Sequence, residues 1–239
     1  MAVSLSCLVS CGSDPLDSCL KETDGTLDCS FAEFNNVDLS GRDLQNVDLS
    51  NADLRQADLT DANLTQAYLK GANLAGADLS DANLTRANFM DANLAGADLS
   101  EATLSVASLY RANLAGADLS EAYLVFANLT KTNLTQADLT GTSLPSADLW
   151  RANLTQADLS GANLTATNLL WADLTQADLT GADLGSASLP KADLSGADFT
   201  GADLSWTDFH WLEGTGAKAD DETVWPEGFD PVAAGVIFE

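Results

Sequence analysis

From Phe34 to Phe209 a large apolar residue recurs at every fifth position, giving 36 consecutive units without an insertion. All 36 of these centres are Leu or Phe, and the residue two places earlier is Ala in 29 units. The exceptions at that place are Val37, Arg42, Val47, Thr132, Thr142, Thr167 and Thr207. A period of five is neither the 3.6 of a helix nor the 2 of a strand. A chain that turns a corner every five residues satisfies it: the centre and the residue two before it point inward, and the other three point outward.

The outward positions give the number of corners in a coil. The residue before the centre is Asp in 18 of 36 units, and every twentieth residue, Asp38, Asp58, Asp78, Asp98, Asp118, Asp138, Asp158, Asp178 and Asp198, is Asp without exception. The residue after those same centres is always Ser or Thr, from Ser40 to Thr200. This predicts a coil of 20 residues with four faces. About nine such coils at the strand spacing of ~4.8 Å make a rod roughly 43 Å long. One coil buries only four centres, so stability has to come from stacking neighbours.

Charge and composition remove several alternatives. Asp and Glu number 36 against 10 Lys and Arg, for a net charge of −26, which repels nucleic acid and anionic lipid. Unbroken leucine periodicity excludes an acidic disordered tail. A single histidine, His210, leaves little for a histidine metal site or a Ser-His-Asp triad. No apolar run approaches the roughly 20 residues of a membrane-spanning helix. No nucleophile, base and orienting residue are brought together, and there is no cofactor motif; no enzyme, cofactor or dedicated metal site is expected.

The tandem string "ANLAGADLSDANLTRANF" resembles the pentapeptide-repeat family, over about three quarters of the chain. The resemblance implies an all-β solenoid, a right-handed quadrilateral β-helix. Residues 31–211 would form it, 1–30 a leader and N-terminal cap, and 212–239 a C-terminal cap. Arg42, a charge at an inward place, reads as part of the first cap near Glu33. In the tail, Trp225, Phe229, Val232, Ile237 and Phe238 are the expected cap residues. The string "TVWPEGFDP" there is similar to tails of cyanobacterial members of the family.

The face opposite the Asp ladder has a different composition. Its outward residues after the centre include Lys70, Met90, Tyr110, Arg111, Lys131, Trp150, Arg151, Leu170, Trp171, Lys191, His210 and Trp211, and so five of the chain's ten basic residues. Val106, Val125, Phe126 and Trp206 project from the neighbouring face toward the shared edge. An aromatic and Arg-containing stripe has the make-up of an interface core, and the expected occupant is an unidentified protein partner. A tail folded over the stripe, or bases that merely screen nearby acids, is the bland alternative. The acidic face is densest at Asp58, Asp61, Asp78, Asp81, Asp98, Glu101, Asp118 and Glu121. Asp before a turn with Ser or Thr after it bonds local backbone more often than it binds a cation.

The N-terminal string "LVSCG" resembles a bacterial lipoprotein box. That resemblance implies a lipid on Cys11, loss of Cys7, and Cys19 and Cys29 left as a pair for one disulfide in an oxidising compartment. Periplasm or thylakoid lumen is the expected location, with membrane contact only through the lipid; a cytosolic protein with reduced cysteines is the alternative. The function expected from all this is a rigid, non-enzymatic scaffold that holds its partner through the aromatic and basic face. Two other readings stand beside it. Pentapeptide-repeat quinolone-resistance proteins resemble duplex DNA and bind a type II topoisomerase, which implies a DNA mimic that itself binds no nucleic acid. The Asp ladder could also act as a cation-binding surface.

Overall fold

The computed structural model describes residues 14–23, 25–208 and 216–238. In it the repeats build a solenoid. The residue before each centre makes a parallel bridge to the residue 20 further on, in an unbroken series from Asp28–Asp48 to Ser188–Asp208. Four columns of bridges result. We call the four faces by their centres: face one (Leu54, Leu74 and every twentieth residue), face two (Leu59, Leu79), face three (Leu64, Leu84) and face four (Leu69, Phe89). The centres from Phe34 to Leu204 are buried, as are the Ala residues two before them from Ala52 to Ala202.

The backbone explains why the pattern reads Ala, then Asp or Asn, then Leu. Buried polar backbone must find partners, and in a unit with Asp or Asn before its centre all five N–H groups do so. In the unit centred on Leu59, Ala57 N–H donates to Leu54 O at 3.1 Å and closes the turn, and Asp58 N–H donates to Val37 O of the previous coil at 2.9 Å. Leu59 N–H and Asp61 N–H donate to Asp78 O at 2.7 Å and Ser80 O at 3.0 Å of the next coil. The fifth, Thr60 N–H, is served by a side chain, Asp58 Oδ1 at 3.0 Å. Where Asp or Asn stands before the centre, as in most units, it is thus the acceptor for an N–H that the stacking leaves over. Pro145 and Pro190 stand where that N–H would be, and the acceptor position before them holds Ser143 and Ser188 instead. A residue with no N–H to satisfy needs no carboxamide.

Inward threonines follow the same accounting. Thr132, Thr142, Thr167 and Thr207 are buried where Ala is the rule. Each hydroxyl donates to the carbonyl of a centre residue: Leu109 at 2.8 Å, Leu119 at 2.8 Å, Leu164 at 2.8 Å and Leu184 at 3.0 Å. A buried hydroxyl left unpaired would cost about 1–3 kcal/mol.

Both ends are covered. At the N-terminus a short 3-10 turn, Pro15–Ser18, leads into β1 (Leu20–Lys21), which pairs antiparallel with β2 (Leu27–Asp28). A Cys19–Cys29 disulfide closes this hairpin, and Cys29 is itself buried in repeat register beneath Leu49. Arg42 does belong to this cap, but its partner is Asp14 and not Glu33. The 3-10 turn brings Asp14 over the first coil, and its carboxylate is held below its ordinary pKa by the Arg42 guanidinium.

At the other end Lys218 bridges Asp198, 20 residues away, and Val224 bridges Asp203, 21 away. One extra residue enters at the turn 220–223, where the Asp220 carboxylate accepts from Gly201 N–H at 3.0 Å. Trp225 packs edge-on against Phe199, and Phe229 stacks on Trp225 at 5.2 Å. Val232, Ile237 and Phe238 do not join this cap: they are 71%, 50% and 44% exposed. Ile237–Phe238 instead form β4, which pairs parallel with β3 (Lys218–Ala219) at the edge, so backbone bonding holds them there and their side chains face outward. Among the described residues no helix is long and apolar enough to cross a membrane.

Candidate functional site

Outward side chains sit mainly on the corners, and the corner backbone is unusual. Every residue two after a centre, from Asn36 to Trp206, has φ between +54° and +67°. This left-handed region suits Gly and tolerates Asn and Asp; a β-branched or bulky residue there is an outlier. Most of these positions hold Gly, Asn, Asp or a flexible polar side chain. Val106, Phe126, Trp171 and Trp206 do not, and all four are on faces three and four. They are also exposed, at 50%, 63%, 43% and 80%.

The corner after face four carries a continuous ladder of alternating cations and rings. Lys131 Nζ lies 5.9 Å from the Tyr110 ring centre and 5.2 Å from that of Trp150. The Arg151 guanidinium lies 4.7 Å from Trp150 and 5.7 Å from Trp171, and Lys191 Nζ lies 4.2 Å from Trp171. Six of the residues singled out from the sequence are therefore in one contiguous array. Each such contact is worth about 0.5–1 kcal/mol at an exposed site; together they fix long side chains in place. Arg111, beside the array, pairs with Asp91 at 3.2 Å; among the described residues Lys131, Arg151 and Lys191 make no salt bridge.

Around this array the other expected residues are placed less tightly. Met90 lies one coil and Lys70 two coils before Tyr110 on the same corner, and Leu170 is half-buried beside Trp171. Val125 and Phe126 stand on the next corner, between faces three and four, with Val106 stacked on them through Val106 N–H to Val125 O at 2.9 Å. Tyr123, not singled out from the sequence, is 52% exposed between Glu121 and this corner. Cys11, His210 and Trp211 lie outside the described residues. Two signals could have shown more: Gly at many corners marks a left-handed position, and residues 131, 151, 171 and 191 share the coil spacing.

The acidic column of face two has a different chemistry. Asp38, Asp58, Asp78 and Asp98 each accept from the backbone N–H two residues on, and from the hydroxyl of that same Ser or Thr, at 2.6–3.0 Å. The Ser40 and Ser80 hydroxyls, then the backbone N–H groups, hold Asp38 and Asp78 below the ordinary carboxylate range. Asp118 accepts from Ser120 N–H at 2.8 Å. Asp61, Asp81, Glu101 and Glu121 are the exposed corner residues beside this column. Among the described residues no three of His, Cys, Asp and Glu gather to hold a metal ion.

Comparison with known proteins bears on the family. The family model described as pentapeptide repeats matches in eight copies, at residues 32–71, 67–105, 107–144, 146–181 and 177–211. No curated protein matches. Among solved structures, HetL, a pentapeptide-repeat protein involved in heterocyst differentiation regulation in the cyanobacterium Nostoc sp. strain PCC 7120, is 34% identical. That match covers 78% of this chain and 89% of HetL, with a TM-score of 0.48. A trypsin-treated form of QnrB1, a plasmid-mediated fluoroquinolone resistance protein, is 22% identical over 73% of this chain and 83% of its own, with a TM-score of 0.55. A pentapeptide-repeat protein of the Arabidopsis thaliana thylakoid lumen is 34% identical over 37% of this chain and 65% of its own, with a TM-score of 0.33.

Proposed function

The chain belongs to the pentapeptide-repeat family, and from that premise we propose that it is a non-enzymatic scaffold whose aromatic and basic edge holds a protein partner. The body, residues 31–211, is on this reading a right-handed quadrilateral β-helix of about nine coils, closed by caps at 1–30 and 212–239. One observation carries the function. In a chain with 36 acidic residues, Lys131, Arg151 and Lys191 are held over rings and, among the described residues, make no salt bridge. A cation kept from the nearest acids and set among exposed aromatics is available to a partner. Replacing Trp150 and Trp171 together with Ala removes the rings that position all three. The partner that co-purifies with the tagged protein from its host should then be lost; undiminished recovery ends the reading.

The same reading places the protein outside the cytoplasm, in the periplasm or thylakoid lumen, with a lipid at Cys11. The Cys19–Cys29 bond supports it, because such bonds persist in oxidising compartments. Intact mass of the protein from its host, reduced and unreduced, is the test. A chain that begins at a lipidated Cys11 with one disulfide is expected; a reduced, unprocessed chain removes the location.

The even column of carboxylates from Asp38 to Asp198 favours a second reading, a DNA mimic directed at a type II topoisomerase. The cation ladder on the same rod argues against it. Failure to inhibit gyrase supercoiling at micromolar protein would remove it. Cation binding by the column is the weakest of the three, since one oxygen of each carboxylate described above already serves its own turn.

A further inference from the structure

We infer that the corner between faces three and four is a contact between two copies of this chain, arranged side by side with their axes parallel. The inference rests on the scaffold reading only in taking Val125 and Phe126 as free to meet a partner. The two surfaces share Lys131, which lies over Tyr110 and Trp150; Arg151, Trp171 and Lys191 of the ladder lie outside the contact.

The first observation is strain at exposed apolar side chains. Val106 and Phe126 occupy left-handed corners at φ 61° and 57°, where Gly or Asn would sit without penalty. Both side chains are exposed, 50% and 63%, so at least half of each is left in water at a position that already carries strain. With Val125 and Tyr123 they form an apolar group across two adjacent coils. Strained residues persist where something outside the local fold uses them.

The second observation is what flanks that group. Successive corners of one coil carry Glu101, Val106 and Arg111; those of the next carry Glu121, Phe126 and Lys131. An acidic line therefore runs along one side of the apolar corner and a basic line along the other. The neighbouring coils break the pattern, with Asp81, Arg86 and Asp91 before it and Gly141, Ser146 and Arg151 after. Between the lines the bridge column of face four is neutral, with Ser108 and Asn128.

This arrangement selects its occupant. An acidic partner is repelled by Glu101 and Glu121, and a basic one by Arg111 and Lys131. A second copy presents both lines. Rotation by half a turn about an axis parallel to the rod keeps each coil at its own height and exchanges left for right. The acidic line of one copy then comes to the side of the basic line of the other, with Val106 and Phe126 meeting their own counterparts. A half-turn about an axis across the rod would set acid against acid, so the parallel pair is preferred. The four flanking charges sum to zero, and Asp91, paired with Arg111 at 3.2 Å, brings the patch to −1, little beside the −26 of the whole molecule; salt screens the rest beyond about 10 Å.

The test is sedimentation of the full chain at 0.15 M salt, up to ~100 μM because a contact this small falls at the weak end of specific interfaces. A species of twice the 24.9 kDa chain mass is expected. Phe126→Gly should abolish it while raising the melting temperature of the monomer, a pair of opposite effects that a residue needed for folding would not give. Glu101→Lys with Glu121→Lys should also leave a monomer. Adding Arg111→Glu and Lys131→Glu to that variant returns the net charge to the wild-type −26 and should restore the dimer. A wild-type monomer throughout, a dimer indifferent to Phe126→Gly, or no restoration by the fourfold exchange would each overturn the inference. Loss of the dimer in Phe126→Gly with partner capture intact, or the reverse after Trp171→Ala, which leaves the rings beside Lys131 in place, tells the two surfaces apart.

Discussion

At the scale of the residue, each of the five places in a unit has one physical task, and each departure from the usual residue has a cost or a substitute. Ala fits beside a centre; Thr fits if its hydroxyl reaches a carbonyl, as Thr132 does. Asp or Asn serves a leftover N–H; Ser serves where Pro145 or Pro190 removes it. Val106 has no such substitute. Its φ of 61° costs a β-branched residue about 1–2 kcal/mol relative to its preferred basins. Val106→Asn is therefore expected to stabilise the monomer by about 1 kcal/mol, or roughly 2–4 °C in a domain of this size. Thermal melts at low protein concentration measure it, and a destabilised variant would show that the valine packs in the isolated chain. The inward and turn-forming places were legible in the sequence because the period repeats without a break. The left-handed corner was signalled only by Gly at many of the corners, because the period says where a corner falls and nothing of its φ. The ring–cation contacts escaped for a related reason: the 20-residue spacing aligned Lys131 with Arg151 on one corner, but which ring each cation leans over depends on side-chain conformation.

At the scale of the element, a coil is stable only because the next one supplies acceptors, so the terminal coils depend on their caps. The N-terminal cap uses three devices on one coil: the β1–β2 pair, the Arg42–Asp14 ion pair and the disulfide. The ion pair is about 40% exposed on both sides and is worth little on its own. The disulfide closes a segment with a sequence separation of 10, for up to about 3 kcal/mol by loop closure. Reduction is expected to unfasten this end first: hydrogen exchange should rise at Cys29, Phe31 and Phe34, while the coils around Leu119 keep their protection. Uniform loss along the whole chain would mean that the coils unfold as one unit and the cap governs them all. The C-terminal cap was only half legible. Trp225 and Phe229 could be picked out as large apolar residues beyond the repeats, and they do stack. Val232, Ile237 and Phe238 looked equivalent in the sequence. Yet parallel pairing with Lys218–Ala219 is a backbone contact that leaves side chains outside, and hydrophobicity does not report it.

At the scale of the whole molecule, charge sets two forces against one another. Thirty-six acids against ten bases repel across the rod, and that repulsion weakens as carboxylates take up protons in acid. Against it stand the local bonds of the Asp column, which need the ionised form. Asp38 and Asp78 are held below the ordinary carboxylate range in the folded chain, chiefly by the Ser40 and Ser80 hydroxyls. A folded pKa below the unfolded value of about 3.9 means that the unfolded chain binds the proton first. The stabilisation from these bonds is then fully present above the unfolded value and is lost as pH falls through the folded one. The melting temperature is expected to stay level from pH 7 to about 5 and to fall below about 4. Asp38→Asn with Asp78→Asn keeps an oxygen acceptor for each turn and removes the titration, so its fall in acid should be shallower than that of the wild type. Circular dichroism melts from pH 2.5 to 7 decide between the two forces. A melting temperature that rises as pH drops through 4 would mean that relief of repulsion along the rod outweighs the turn bonds, and that these aspartates are kept for what their charge does outside the fold.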